Sequence, residues 1–506
     1  MRRRKVLQLL GAGAASTALG DGCLPRPAQR RPNILFIMSD DHAVNALSCY
    51  RSRLSEVAPT PNIDRIALRG MRFTSCFCTN SICTPSRASI ITGKYSHNNG
   101  VYTLSDPLNP NQRNVAQLLS GGGYRTAIIG KWHLHSDPSG FDYWNILPGQ
   151  GKYFDPILID CTKGEQAYSG YSTDVITDLA IDWMKGRNNG EPFFLMCHFK
   201  APHEPWEYPA RLKDYLADFQ IPEPESLWED KSHRSDGSRG YGLTIETMAE
   251  RQTRKNYHSE GPVDFSGLTP AQRRSKTYQI FLKRYLRTIT AVDENVGRLL
   301  DYLERSGQAV NTVVIYTSDQ GYLLGEHNYM DKRWMYEESL AMPLLVSWPG
   351  EIKPGSVSDR IVINTDFAAT FLDLAGMDAP GDMQGRSIRG LLKGEPPSDW
   401  RTAMYYRYWL HEHRPAHYGL RTDRYKLIFF YGLPLGMTGA FEKPTKAGWE
   451  LYDLKKDPEE LHNVYVDPRY AGLVKDLKKQ LNKLRQELGD NDEKYPELLE
   501  LQQEYR

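Results

Sequence analysis

The chain has 506 residues, of which 40% are hydrophobic and 25% charged, and a formal net charge of +1. That length can bury a large core and calls for more than one domain, or one large α/β domain with an appendage. The near-neutral balance excludes wholesale binding to nucleic acid or an acidic membrane surface, so a charged substrate has to be met by a local site.

The first residues, MRRRKVLQLLGAGAASTALGDGC, join a basic start to an apolar, small-residue run too short to span a bilayer. Residues 1–30 are therefore expected to be an export signal and linker. Arg3 and Arg4 ahead of KVLQLL predict the twin-arginine type, with a periplasmic destination and no transmembrane segment in the mature chain. Lipid attachment at Cys23 is the weaker alternative, because Gly20 stands where such sites usually carry leucine. Cys76, Cys78 and Cys83 cluster without a fourth soft ligand at zinc-site spacing, so no structural zinc is expected. Disulfide pairing is left open.

Four apolar runs follow: PNILFIMSDD (32–41), YRTAIIGKWH (124–133), EPFFLMCHFKAPH (191–203) and NTVVIYTSDQG (311–321). Each reads as a buried parallel strand whose polar residues emerge at its carboxyl end, where open α/β sheets bind ligands. RYLRTITAVDENVGRLLDYLERSG (284–307) puts Ile289, Val292, Val296, Leu299, Leu300 and Leu303 on one helical stripe, with Gly307 as its cap. This alternation predicts a layered α/β domain over residues 31–380. The polar stretch 223–277 predicts a long surface excursion over the site. From 381 to 506, AMYYRYW and HYGLRTDRYKLIFFY predict antiparallel strands and 467–489 an amphipathic helix, ahead of a frayed tail. Together they form a smaller C-terminal α+β domain.

Asp40, Asp41, Asp319 and Gln320 offer only oxygen ligands, which selects a hard divalent cation, Ca2+ before Mg2+. Acids after strands often merely cap helices, but the strand–Ser–Asp pattern occurs twice here. A thiol is out of place beside such a cation, which makes Cys83 in SICTPSRAS the residue to explain. His198 and Cys197 lie in an apolar run and are expected in the core.

CTPSR fits the signature Cys-x-Pro-Ser-Arg. Taken with PNILFIMSDD, TPNIDRIALRGMRFTSCF, GYRTAIIGKWH, FKAPHEPW, TSDQGYLLGEH, DKRWMYEESLAMPLLVSWPG and WELYDLKKDPEELHNV, in that order, the chain resembles the formylglycine-dependent sulfatases of the alkaline phosphatase-like superfamily. The resemblance implies a layered sheet flanked by helices and a Cys83 converted to 3-oxoalanine (formylglycine) by a maturation enzyme. It also implies a metal held by Asp40, Asp41, Asp319, Gln320 and the modified Cys83. Gln320 departs from the asparagine or histidine usual there but keeps a carbonyl oxygen. Arg87 matches the arginine that holds the formylglycine hydrate. Lys131, His133, His203 and Lys332 match cationic residues around the sulfate: His203 or Lys332 is the expected acid for the leaving oxygen, and His133 the expected base. Arg333, Trp334 and His417 are expected to touch the sugar, and His411, His413, Arg407 and Arg414 are further candidates for a subsite. The implied function is removal of sulfate from a sulfated sugar or polysaccharide, resembling N-acetylglucosamine-6-sulfatases. The alternatives are a formylglycine-dependent phosphonate monoester hydrolase or phosphodiesterase, and an inactive sulfated-glycan-binding protein.

Overall fold

The computed structural model describes residues 31–188 and 190–505, so the expected export signal and Cys23 lie outside the described residues. A ten-stranded sheet forms the centre. Its strands are β1 (Asn33–Ser39), β2 (Met71–Phe73), β3 (Arg125–Lys131), β4 (Tyr143–Leu147), β5 (Ile157–Asp160), β6 (Gly164–Ala167), β7 (Phe193–His198), β8 (Thr312–Ser318), β9 (Leu344–Ser347) and β10 (Ser356–Ser358). They are ordered β10-β2-β9-β8-β1-β7-β3-β4-β5-β6. The four predicted strands, β8, β1, β7 and β3, are adjacent and parallel in the middle of this sheet.

Every residue of β1 is buried, because both faces are covered. Ile34, Phe36 and Met38 pack into the cluster that holds Phe367 and Phe371 of helix α4 (Asp366–Leu374). Leu35 and Ile37 pack on the other side, with Ile63 and Ile66 of α1 (Pro61–Arg69) and Val292 and Val296 of α3 (Pro270–Arg305). Two-sided burial is why these strands read as continuous apolar runs rather than alternating ones. All six predicted stripe residues of α3 are buried, and Gly307 lies just past its end in the left-handed region. The helix starts well before the predicted residue 284, where Thr269 and Gln272 form a capping box and Pro270 takes the first position.

The predicted excursion 223–277 ends earlier, because residues 270–277 are the first turns of α3; the part before it is mostly irregular, with a two-turn α-helix at Ile245–Gln252. The C-terminal sheet is antiparallel in sequence order: β11 (Ala403–Tyr408), β12 (His417–Thr422), β13 (Tyr425–Phe430) and β14 (Gly448–Asp453). The amphipathic helix, α5 (Ala471–Leu488), presents Leu477 and Leu481 inward. The tail is not frayed as expected: Pro496–Glu504 is a helix with proline in its first turn and Leu498 fully buried. The apolar core runs unbroken from Phe36 and Ile128 to Tyr405, Leu420 and Phe430. The loop around residue 380 therefore joins parts of one compact unit. Among the described residues no helix is long and apolar enough to cross a membrane, and the six cysteines are all unpaired.

Candidate active site

Register brings the chemistry to one edge. Ser39 pairs with Ser318, Met38 with His198, and Gly130 with His198, so the carboxyl ends of β1, β8, β7 and β3 are level. Asp40 and Asp41 follow β1 directly and Asp319 and Gln320 follow β8; Lys131 is the last residue of β3, and His203 lies five residues past β7. Gly130 is needed for the close approach of β3, since a Cβ there would lie 1.9 Å from the carbonyl oxygen of His198. Helix α2 (Cys83–Thr92), buried throughout, begins at this edge and sets Cys83 and Arg87 one turn apart.

Asp40, Asp41 and Asp319 are fully buried and each offers a carboxylate oxygen within 4.8 Å of the others. Asp41 adopts a positive φ of 68°, held by its own N–H donating to Asp319 Oδ1 (3.1 Å) and by the Tyr285 hydroxyl donating to its carbonyl (2.7 Å). Three buried carboxylates need compensation. Arg87 supplies it to Asp319 through Nε (2.9 Å) and ties itself to the Lys131 carbonyl (2.7 Å). Lys332 Nζ meets both oxygens of Asp41 at 2.5 and 2.6 Å, and Lys131 Nζ donates to Asp40 and to Gln150 Oε1 (2.6 Å). Burial pushes Asp40 up, but Lys131, His203, Arg87 and Lys332 outweigh it and hold the group well below the carboxylate range. Burial dominates at Asp41 and Asp319, which rise to about 7 and about 6.

Cys83 Sγ lies 3.3 Å from Asp40 Oδ1, and burial together with that neighbour pushes the thiol up. An unmodified Cys83 is therefore a neutral thiol and a poor nucleophile. The donor set fits a hard divalent cation. Three carboxylates converge, and Gln320 Oε1 is buried without a hydrogen-bond partner while its Nε2 donates to Asp41.

His133 stands in the left-handed region (φ 58°) with Nδ1 buried and unpartnered, and burial with Lys131 lowers it to about 2. His203 Nδ1 lies 2.8 Å from the Glu204 carbonyl oxygen, and Nε2 lies 3.8 Å from Asp41 Oδ2. A carbonyl only accepts, so Nδ1 carries the hydrogen and Nε2 faces the site. Lys332, His203, Asp41 and Gln150 line the floor of a cavity of about 270 Å³. Its outer wall carries Glu204 with Arg251, and Arg333 and Arg414 with Asp331 and Glu412.

Arg333, His413 and Arg414 border the cavity. Trp334 and His417 do not. Both are fully buried, Trp334 stacked on Tyr329 and Tyr336, and His417 packed among Tyr406, Tyr408 and Phe430 with Nδ1 on the Pro415 carbonyl (2.8 Å). Their aromatic rings made them resemble sugar contacts, but they are core side chains. Arg407 is likewise committed to Asp490 and Asp492, and His411 is buried with Nε2 on the Lys443 carbonyl. His198 and Cys197 are buried as expected, with His198 Nδ1 3.2 Å from the Lys131 carbonyl. Gln150, Lys200, Arg251 and Glu412 escaped the sequence reading. Lys200 is buried with Nζ over the Tyr153 ring (4.9 Å to its centre), and burial with Lys131 lowers it to about 8. Only Lys200 had a local signal, as a lysine closing an apolar run.

A buried acidic cluster ringed by lysines and arginine at the open edge of a layered α/β sheet defines an enzyme of anionic esters. Residues 32–377 match the family "Sulfatase", and residues 325–487 match "N-sulphoglucosamine sulphohydrolase, C-terminal". The chain belongs to the sulfatase family and is a sulfuric ester hydrolase. It is 40% identical over 505 residues to an N-acetylglucosamine-6-O-sulfatase of Bacteroides thetaiotaomicron, covering 92% of this chain and 88% of that one. It is 30% identical to the N-acetylglucosamine-6-sulfatase of Homo sapiens, over 75% of this chain and 67% of that one. Among solved structures it is similar to a protein in complex with its substrate D-glucosamine-2-N,6-O-disulfate. That match has a TM-score of 0.84 and 40% identity, and covers 92% of this chain and all of that one.

Proposed function

We propose that this sulfatase removes the 6-O-sulfate from glucosamine-type sugars, and that residues 40, 41, 83, 87, 131, 133, 203, 319, 320 and 332 carry the reaction. The reading rests on one observation: Cys83, three carboxylates and two lysines cluster beside a cavity that Asp41 and Lys332 line, in a chain that is 40% identical along its length to an N-acetylglucosamine-6-O-sulfatase. Formylglycine at residue 83 supplies a hydrated aldehyde as nucleophile, and Ca2+ or Mg2+ held by Asp40, Asp41, Asp319 and Gln320 supplies Lewis acidity.

The chain's own side chains do the rest. Three carboxylates face three cations at the closed end, so a divalent ion leaves a net positive site that attracts a sulfate monoester. Lys131 and Lys332 stabilise charge on the sulfate oxygens, and Arg87 holds Asp319 and the start of α2 in place. Burial and Lys131 disfavour the charged form of His203, and the anionic ester offsets them in the substrate complex; carrying a second proton on Nε2 there, His203 protonates the departing sugar oxygen as the S–O bond breaks and returns to the neutral Nδ1–H tautomer. His133, neutral because burial and Lys131 disfavour its charged form, is the base that takes the diol proton when sulfate is expelled. Export of the chain by its basic, apolar start and modification of Cys83 by a maturation enzyme complete the proposal. Cys83 is 1% exposed, which supports modification before folding.

Sulfate release would be measured from 6-sulfated N-acetylglucosamine, its 3-sulfated isomer, 6-sulfated N-acetylgalactosamine and an aryl phosphate diester. The expected result is preference for the first. Diester turnover ahead of it by about tenfold, a difference of about 1.4 kcal/mol in transition-state binding, would transfer the assignment to a phosphodiesterase. Mass spectrometry of the peptide around residue 83 checks the nucleophile independently.

A further inference from the structure

The polar excursion 223–277 reaches into the site at one point. Arg251, in its short helix, places Nη1 2.9 and 2.8 Å from the two carboxylate oxygens of Glu204, and the Tyr257 hydroxyl donates to Glu204 Oε1 at 2.7 Å. Glu204 is the residue whose main-chain carbonyl accepts the Nδ1 hydrogen of His203. The side chain of Glu204 is thus anchored by the excursion while its backbone sets the imidazole. The next turn is held as well: His258 Nε2 lies 3.3 Å from the Trp206 carbonyl, and Ser259 donates to Glu207 through its N–H at 2.7 Å.

We propose that Glu204, clamped by Arg251 and Tyr257, is a positioning residue that fixes the ring and tautomer of His203, making the excursion part of the leaving-group machinery. The physical argument is geometric. A single hydrogen bond from Nδ1 to a backbone carbonyl orients the ring only as well as that carbonyl is itself held. The carbonyl belongs to an irregular segment with no ladder partner among the described residues. Beside the turn bonds of this segment and the Tyr153 hydroxyl on the His203 carbonyl, three charge-assisted hydrogen bonds to the adjacent carboxylate hold it. With Nδ1 occupied, Nε2 is the only ring atom that exchanges a proton with the ester oxygen. The excursion's sequence carries no motif for this, which is why it read as a surface excursion over the site without a role for Arg251.

The inference rests on the assignment of His203 as the acid, and the test separates the two. Turnover of a 6-sulfated amino sugar, whose alkoxide leaving group needs a proton, is compared with that of 4-nitrophenyl sulfate, whose phenolate needs little help. His203→Ala should lower kcat on the sugar by about 100-fold or more and on the aryl ester far less. Arg251→Met and Glu204→Ala should lower kcat on the sugar by about tenfold, with the aryl ester within about threefold. Arg251→Lys should recover part of the loss, and Tyr257→Phe should fall between wild type and Arg251→Met. A His203→Ala loss that is equal on both substrates removes the acid assignment and this inference with it. A selective His203→Ala loss beside Arg251→Met and Glu204→Ala that are unaffected, or equally slow on both substrates, overturns the clamp alone. Circular dichroism and thermal melting of each variant identify any that fail to fold, and Tyr257→Phe, which deletes one hydroxyl, carries the test if the larger changes do.

Discussion

The two ends of the cavity are built differently. At the closed end every charged group is on or just beyond a strand end or the first turns of a buried helix, and Asp40, Asp41, Asp319, Arg87 and Lys332 are all under 4% exposed. At the open end the charges come from four separate stretches, around 204, 251, 333 and 412; Glu204, Arg251, Arg333 and Glu412 retain 15 to 25% side-chain exposure, while Asp331 keeps 12% and Arg414 1%. The closed end is a fixed electrostatic cluster, on our proposal for sulfate, while the open end is a set of mutually paired arginines and carboxylates. On the proposed reading, the sulfate chemistry resides in the first and substrate choice in the Arg333–Glu412–Arg414 side of the second, while Glu204 and Arg251 serve His203.

The largest expected effect tests the closed end. Cys83→Ser should complete at most one turnover and accumulate a sulfated serine, with sustained rate down by at least ~1000-fold. Mass spectrometry of that variant after incubation with substrate decides it, and continued turnover contradicts the diol mechanism. Asp319→Ala should lose bound metal and more than ~100-fold of activity together, exceeding what loss of an outer-shell partner costs. Wild-type protein should also melt at lower temperature in excess chelator, because an ion bound only by the folded state stabilises it. Equal metal content and melting temperature in the variant would remove Asp319 from the ligand set.

The Glu412 side of the open end should respond in KM. Glu412 accepts from Arg333, from Arg414 Nη1 (2.9 Å) and from the Tyr408 hydroxyl (2.9 Å). Glu412→Gln should raise KM for the sugar substrate by about tenfold while leaving kcat on 4-nitrophenyl sulfate within about twofold. An equal loss on both substrates would mean that the two ends are one electrostatic unit.

The smallest effect concerns stability and pH, at a site that belongs to neither end. Burial lowers His417 from its ordinary value to about 4, with the Pro415 hydrogen bond only partly opposing it. A histidine whose folded pKa is depressed is neutral in the folded protein and gains a proton on unfolding. Its contribution to stability is present above about 6.5 and is lost as pH falls toward 4. His417→Phe should therefore flatten the decline of melting temperature over that window. An unchanged slope would show that His417 is charged or solvated in the folded protein.

The legibility of each region follows its local physics. β1 and β8 announce themselves because a strand buried on both faces must be apolar throughout and must place its first polar groups at its end. Asp40, Asp41, Asp319 and Gln320 could be found for that reason. Cys83 and Arg87 were legible from a contiguous pentapeptide. Trp334 and His417 were misread because an aromatic or imidazole ring suits a core as well as a sugar face, and only packing tells these apart. Arg251 and Glu412 gave no sign at all, since a surface arginine in a polar loop looks the same whether or not its partner is a carboxylate beside the catalytic histidine.

The sequence by itself determined the class of the protein: a parallel α/β sheet, an oxygen-ligand cluster at its edge, a signature cysteine and a C-terminal antiparallel sheet. These are properties of short segments, set by burial period and ligand hardness. The tertiary structure alone decided which arginines and carboxylates pair across the cavity mouth, which aromatic rings face inward, and that the polar excursion grips Glu204. Those depend on contacts between residues far apart in the chain, such as Arg333 with Glu412 and Glu204 with Arg251, and no local pattern encodes a distance in space.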